Sequence, residues 1–207
     1  MAHFQQLKPG PMPGDFPEIA TARLRIVLAL PSMAPAMARF FRDNWEGHLD
    51  RWSPPAGPGL FDESHWQGRL AVAADEWRAG TAARFVLVPL DDAGVIAGTC
   101  NYTQIMRGPF QACYLGYQAS RSHQGRGLMT EALTALNAFA FRAMSLHRIM
   151  ANYVPANERS ARLLERLGFT REGLARDYLF IDGAWRDHVL TALANPGFDA
   201  SRIRGPG

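Results

Sequence analysis

Three consecutive segments, ARFVLVPL (83–90), VIAGTCNYTQI (95–105) and FQACYLGYQAS (110–120), constrain this chain more than any other feature of it. Each is short and rich in β-branched or aromatic residues, the composition of a strand. The connections DDAG (91–94) and MRGP (106–109) are too short to hold a crossover helix. Neighbouring strands joined this way run antiparallel. The third strand then runs into SHQGRGLMTEAL (122–133), where two glycines flank an arginine and apolar residues follow at helical spacing.

The rest of the chain reads around that centre. RLRIVLAL, from Arg23, is a first strand, PSMAPAMARFFRDNW a helix with proline in its opening turn, and DESHWQGRLAVAADEWRAG a second helix with acidic residues at its start. Beyond the glycine turn, Leu128, Ala132, Leu136, Phe139 and Ala143 recur at intervals of three and four, which predicts a helix. RIMANYV reads as a strand and NERSARLLERLGF as a helix ended by Gly168. Residues 169–194 read as a hairpin turned at Asp182 and Gly183. The expectation is one α/β domain over residues 21–195, a mixed, mostly antiparallel sheet with helices on both faces. Residues 1–20 read as an extended arm and 196–207 as a loose tail, both broken by Pro and Gly.

Composition narrows the function classes. A chain of 207 residues with 47% hydrophobic content suits one core. A formal net charge of +3, with arginine supplying nearly all the positive charge and no long basic run, gives no reason to expect direct nucleic-acid binding. No apolar run approaches the roughly 20 residues of a membrane span, and the N-terminus lacks a signal-peptide core, so a cytoplasmic protein is expected. Cys100 and Cys113 have no metal or redox spacing and read as buried thiols.

A glycine turn opening a helix presents unpaired N–H groups and the positive end of the helix dipole to an anion. A dinucleotide fingerprint needs glycine where Thr130 stands, and a P-loop needs lysine where Leu128 stands, so neither fits. What remains is Q-x-x-G-x from Gln124.

Gln124, Gly125, Arg126 and Gly127, followed by LMTEAL, resemble the acetyl-coenzyme A pyrophosphate motif of the GNAT N-acetyltransferases. CYLGY before the motif, LHRIMANYVPANERSARLLERLGF after it and YLFIDGAWRDHVLTAL near the end resemble the RimJ/RimL branch of that family, nearer its RimJ side. The resemblance implies the GNAT acyl-CoA N-acyltransferase fold, acetyl-coenzyme A as co-substrate, and a protein N-terminus, such as the alanine or serine of a ribosomal protein, as acceptor. It implies pyrophosphate contacts from the N–H groups of Gly125 through Met129, Leu128 among them, with Arg126 adding charge and Gln124 capping the turn. Met129 replaces the glycine or alanine that usually closes the motif. The resemblance also implies an oxyanion donor among the N–H groups of Leu115, Gly116 and Tyr117, where that strand splays from its partner, with Gly116 favouring a local irregularity.

The proton path departs from the family pattern. The tyrosine usually found four residues before the glycine that ends the penultimate helix is Leu164 here. Tyr153 and Ser160 are the nearest substitutes in sequence, each equally readable as structural. Asn157 stands where the branch has an asparagine facing the cofactor arm, and it also reads as a helix N-cap. Asp177, Asp187 and His188 are candidates to take the amine's proton through water; alternation in WRDH puts Asp187 and His188 on opposite faces. Trp45, Trp52 and Trp66 fall where this fold forms a wall of the acceptor groove.

A strong base is not required for an α-amine. With a pKa of about 7.7 to 8.0, about a tenth of it is neutral at pH 7, whereas lysine is almost wholly charged. Two alternatives remain beside peptide N-terminal acetylation: acetylation of a small amine such as an amino acid or aminoglycoside, and a noncatalytic coenzyme A-binding or ribosome-associated role. A monomer or homodimer is expected.

Overall fold

The computed structural model describes residues 17–203. The elements follow the order β1 (Glu18–Ala20), β2 (Leu24–Leu28), α1 (Ala34–Asn44), α2 (Glu63–Arg78), β3 (Ala83–Pro89), β4 (Gly98–Met106), β5 (Ala112–Ala119), α3 (Leu128–Arg142), β6 (Arg148–Met150), α4 (Glu158–Arg166), β7 (Thr170–Ile181) and β8 (Ala184–Ala194). The eight strands make one sheet in the order β1-β2-β3-β4-β5-β6-β8-β7. Every pairing is antiparallel except β5 with β6, which is parallel and spans only Ala112–Tyr114 against Arg148–Met150.

The two faces of the sheet are covered differently. Leu128, Ala132, Leu133 and Leu136 of α3 and Leu163 and Leu164 of α4 pack with Cys100, Tyr102, Cys113 and Leu115, the side chains that β4 and β5 turn to that face. Met37, Phe40 and Phe41 of α1 and Trp66 and Leu70 of α2 pack on the other face against Val86 and Val88 of β3. Alternation along each strand therefore sorts the side chains into a face toward α3 and α4 and a face toward α1 and α2.

Three differences from the sequence reading have local causes. Residues 18–20, placed in the arm, form β1 on the edge of β2, while residues 1–16 lie outside the described part of the chain. The strand expected over RIMANYV stops at Met150 as the chain leaves β5, and resumes only as a bridge between Tyr153 and Val189. The tail closes with a 3-10 turn at Ala200–Ile203, after Phe198 sets its ring edge-on against His147 at 5.4 Å; residues 204–207 lie outside the described part. Cys100 and Cys113 are buried free thiols, and burial pushes Cys113 up to about 12.

Candidate active site

The turn that opens α3 takes its shape from its glycines. Gly125 and Gly127 have φ of 74° and 75°, the left-handed region that strains residues bearing a Cβ. A Cβ on Gly125 would meet no atom within 4 Å, so the backbone there faces open space. Gly127 caps α3, and the first N–H groups of the helix have no intrahelical partner. The arrangement fits a pyrophosphate, whose oxygens need several converging donors and close backbone approach.

The connection between β1 and β2, distant in sequence, holds that turn. Arg23 Nε donates to Glu131 Oε2 at 2.7 Å, and Arg23 Nη1 to the Arg126 carbonyl at 2.8 Å. Thr21 Oγ1 and the Arg23 N–H both donate to Glu131 Oε1, at 2.6 and 2.9 Å. Burial opposes ionisation of Glu131, yet the bonds from Thr21 and Arg23 prevail and hold its carboxyl below the usual range. Sequence reasoning missed both residues, although an acid in the first turn of a helix was a usable signal. On the other side of the turn, Gln124 accepts from Arg159 in the first turn of α4 and lies 3.4 Å from His48 Nε2, so its side chain ties the turn to α4.

The gap in the sheet lies between β5 and β6, where their pairing ends at Tyr114 and Met150. The Gln111 carbonyl accepts from His147 and Arg148 on the β6 side, and the Ala119 carbonyl meets His48 Nε2 at 3.0 Å, whereas Ser120 N–H donates to Ala97 beyond β4. Peptide groups alternate sides along a strand. Leu115 and Tyr117 therefore turn their N–H groups to the β6 side; the pairing of Tyr114 with Met150 takes up that of Leu115, and that of Tyr117 faces the gap. Gly116 departs from expectation: it pairs regularly with Asn101, and the irregularity of this hairpin sits on β4 between Thr103 and Met106. An unobstructed ladder partner keeps Gly116 in register, and its contribution is space, since a Cβ there would meet nothing within 4 Å.

On the α3 and α4 face of the gap, Tyr117 Oη and Ser160 Oγ are 2.6 Å apart. Burial pushes the Tyr117 hydroxyl up to about 12, against the lowering effect of the Ser160 bond. Asn157 Oδ1 accepts from Ser160 N–H at 3.2 Å, which makes Asn157 the N-cap of α4. Tyr153, partly buried against the same core as Leu163 and Leu164, lines a cleft of about 440 Å³ with Glu158, Ala161 and Arg162, and lies near enough to Tyr117 to raise its pKa.

Asp177 and Asp187 come together, but away from Ser160. Register shifts between Ala175 and Leu179 put a bulge in β7, where Asp177 has φ of 46°. Asp187 accepts from the Asp177 N–H at 3.0 Å and pairs with Arg176 at 3.4 Å, so its bonds stay inside the hairpin. His188 is buried, with Nδ1 at 3.0 Å from the Arg186 carbonyl, so that nitrogen carries the proton. Its ring packs on Tyr178 at 5.1 Å. Of the three tryptophans, Trp66 stacks on Phe41 in the core and Trp45 packs between Phe41 and Phe61, leaving Trp52, 38% exposed, on the surface. Among the described residues no group of three His, Cys, Asp or Glu side chains is placed to hold a metal, and no helix is long and apolar enough to cross a membrane.

A split sheet beside a glycine-capped helix that presents free amides defines an acyltransferase that uses an acyl-coenzyme A thioester. Residues 23–170 match the model of the acetyltransferase (GNAT) domain, and the chain belongs to that family of acetyl-coenzyme A-dependent N-acetyltransferases. The chain is 44% identical over 189 residues to the [ribosomal protein uS5]-alanine N-acetyltransferase of Escherichia coli, covering 89% of this chain and 94% of that one. The solved ribosomal-protein-S5-alanine acetyltransferase of Vibrio fischeri superposes with a TM-score of 0.84 at 36% identity, over 88% of this chain and 98% of that one. Mycobacterium smegmatis RimJ, solved in complex with CoA-disulfide, gives a TM-score of 0.77 at 30% identity, over 87% and 88% of the two chains.

Proposed function

We propose that this chain transfers acetyl to the α-amine of protein N-termini that begin with alanine or serine, ribosomal proteins foremost, in the cytoplasm. The observation that carries the reading is the 44% identity along 94% of the Escherichia coli uS5-alanine enzyme, a match too long to be confined to the cofactor turn. The chemistry of the site supports it. Asp187 is engaged within its hairpin and His188 is buried, so neither of these two is arranged as a strong base. An α-amine, already neutral in part at physiological pH, needs none.

Each side chain then has a task. Acetyl-coenzyme A supplies an activated acetyl group as a thioester. The amides of Gly125 through Met129 bind its pyrophosphate, with Arg126 adding charge. Asn157, while capping α4, faces the cofactor arm. Tyr117, the first residue of β5 past its last pair with β6 whose N–H faces the gap, donates that N–H to the thioester oxygen as negative charge develops there. Ser160, joined to Tyr117, protonates the departing sulfur, and Tyr153 shapes the flank of α4 rather than acting as the acid. Asp177, exposed at the bulge, takes the amine's proton through water, and Asp187 holds the bulge in shape.

The test is a peptide panel read by mass spectrometry. Peptides with a free N-terminal alanine or serine are acetylated on the α-amine, while the same sequences with a blocked terminus and an internal lysine are not. The rate at subsaturating peptide rises with pH through the amine pKa of about 7.7 to 8.0 and then levels, because deprotonation creates the nucleophile. Tyr117, held up to about 12, adds no descending limb across that range. Inert peptides together with turnover of a free amino acid or aminoglycoside would overturn the reading.

A further inference from the structure

Helices α3 and α4 pack over one face of the β5–β6 gap, whereas the other is open above Gly116, where a Cβ would meet no atom within 4 Å. That open face leaves room for an acceptor to approach. Asn101 of β4 stands directly across from Gly116, and Thr99 from Gln118. Both alternate along β4 with Cys100 and Tyr102, which pack beneath α3, so the side chains of Thr99 and Asn101 belong to the open face. There they line a cavity of about 90 Å³ together with Phe41 of α1, Trp66 and Arg69 of α2, and Arg84 of β3.

The charge of this cavity is unbalanced. Among the described residues Arg69 and Arg84 are the charged members of its lining, and both bond to a single carboxylate, that of Glu76. Arg84 holds it closely, with Nε donating to Glu76 Oε2 at 2.7 Å and Nη2 to Oε1 at 3.1 Å, while Arg69 Nη1 and Nη2 stand 3.4 and 3.5 Å from Oε2. The bond from Arg84, against the opposing effect of burial, holds the Glu76 carboxyl below the usual range, so it stays ionised. Two guanidiniums thus share one negative charge, and one positive charge is left over. The three side chains are 22 to 31% exposed, partly out of water, where a charge acts more strongly than on an open surface. Among the described residues nothing pairs with Arg84 Nη1 or with the Asn101 carboxamide.

Size and position suit a side chain of the acceptor. A water takes up about 30 Å³, so the cavity has room for about three waters, or for the carboxylate end of an Asp or Glu side chain. Neighbouring strands lie about 4.8 Å apart, and an extended peptide advances about 3.3 Å per residue. With its amine at the gap, a peptide crossing β5 and β4 therefore brings its second to fourth side chains over the cavity. We propose that this cavity is an acceptor subsite, in which Arg69, Arg84 and Asn101 bind a carboxylate side chain at the second to fourth position of the N-terminus being acetylated. The assignment rests on the α-amine reading above. It deepens that reading by naming a group beyond the first residue that selects among N-termini.

The experiment compares alanine-starting peptides that carry Glu or the isosteric Gln at the second, third or fourth position, with rates expressed per neutral amine. At low salt wild-type enzyme prefers Glu about 5- to 20-fold in kcat/KM at one or more of these positions, chiefly through KM, and the preference shrinks as salt rises. The same exchange at the tenth position, beyond the span from gap to cavity, changes the rate less than about twofold. Arg69→Gln removes the surplus charge while keeping the closer Arg84–Glu76 pair, and brings the Glu-to-Gln ratio down to about 1 to 2. Glu76→Gln removes the balancing charge instead, and raises the ratio about two- to threefold above wild type. A loss of fold would not move the ratio in opposite directions, and melting curves check that both variants are folded. Equal wild-type rates for Glu and Gln at all three positions overturn the assignment without any variant, and leave the α-amine reading standing. It is also overturned if the tenth position shows the same preference, the mark of long-range attraction, or if Arg69→Gln keeps the wild-type ratio. Wild-type enzyme that acetylates free small amines but no peptide overturns the α-amine reading itself, and the assignment with it.

Discussion

The cofactor turn and the acceptor face of this enzyme are built by opposite means. The turn is a run of contiguous residues, 121–131, whose path follows from two left-handed glycines and the start of a helix. The face of the gap proposed for the acceptor gathers Gly116 from β5, Asn152 from the segment after β6, and Tyr178 and His188 from the β7–β8 hairpin, residues brought together only by the sheet. A binding task common to every use of the co-substrate needs only local backbone geometry. Choice of acceptor needs side-chain dipoles in fixed relative positions, which distant elements must hold.

The largest effect is expected where the local geometry itself is broken. Gly127→Asp combines the cost of φ near 75° for a residue with a Cβ and a negative charge in the turn, set beside the Arg23 guanidinium that braces it. Acetyl-coenzyme A binding should weaken about 10²-fold or more in calorimetry, with circular dichroism unchanged. Retained affinity would show that the turn is not the anion site. Between the two regions stands the proton donor. Ser160→Ala should lower kcat about 10²-fold while coenzyme A still binds, and Tyr153→Phe only a few-fold, because Ser160 meets Tyr117 on the cofactor side and Tyr153 lines the outer cleft. The reverse order in steady-state kinetics would move the acid to Tyr153. The smallest effect should come from Arg23→Ala, which removes the long-range brace of the turn. With the Arg23 side chain 51% exposed, the ion pair with Glu131 is screened, and KM for acetyl-coenzyme A should rise only about three- to tenfold. No change would mean the glycines hold the turn unaided, and a loss as large as that of Gly127→Asp would erase the contrast between the regions.

Much of this was legible in the chain. The strands around DDAG and MRGP, the helix opening at Leu128, the hairpin turned at Asp182 and Gly183, and the cap role of Asn157 all depend on residues within a few positions of one another. The left-handed turn at Gly125 and Gly127 was legible for the same reason. Arg23 was not, because its partners Glu131 and Arg126 lie over a hundred residues away. Asp187 looked like a base on paper, and the bulge that occupies it exists only once β7 and β8 pair with a register shift.

The sequence by itself determined which residues alternate across the sheet and where the backbone turns left-handed, because those properties are set by each residue's own stereochemistry and its immediate neighbours. Where β6 stops pairing with β5 was decided by the tertiary structure, and so was which hydroxyls find partners across it. Both depend on which hydrogen-bond partners the packed sheet brings within reach. The Tyr117–Ser160 pair and the Asn152–Tyr178 bond come into being only when strands and helices far apart in the sequence meet.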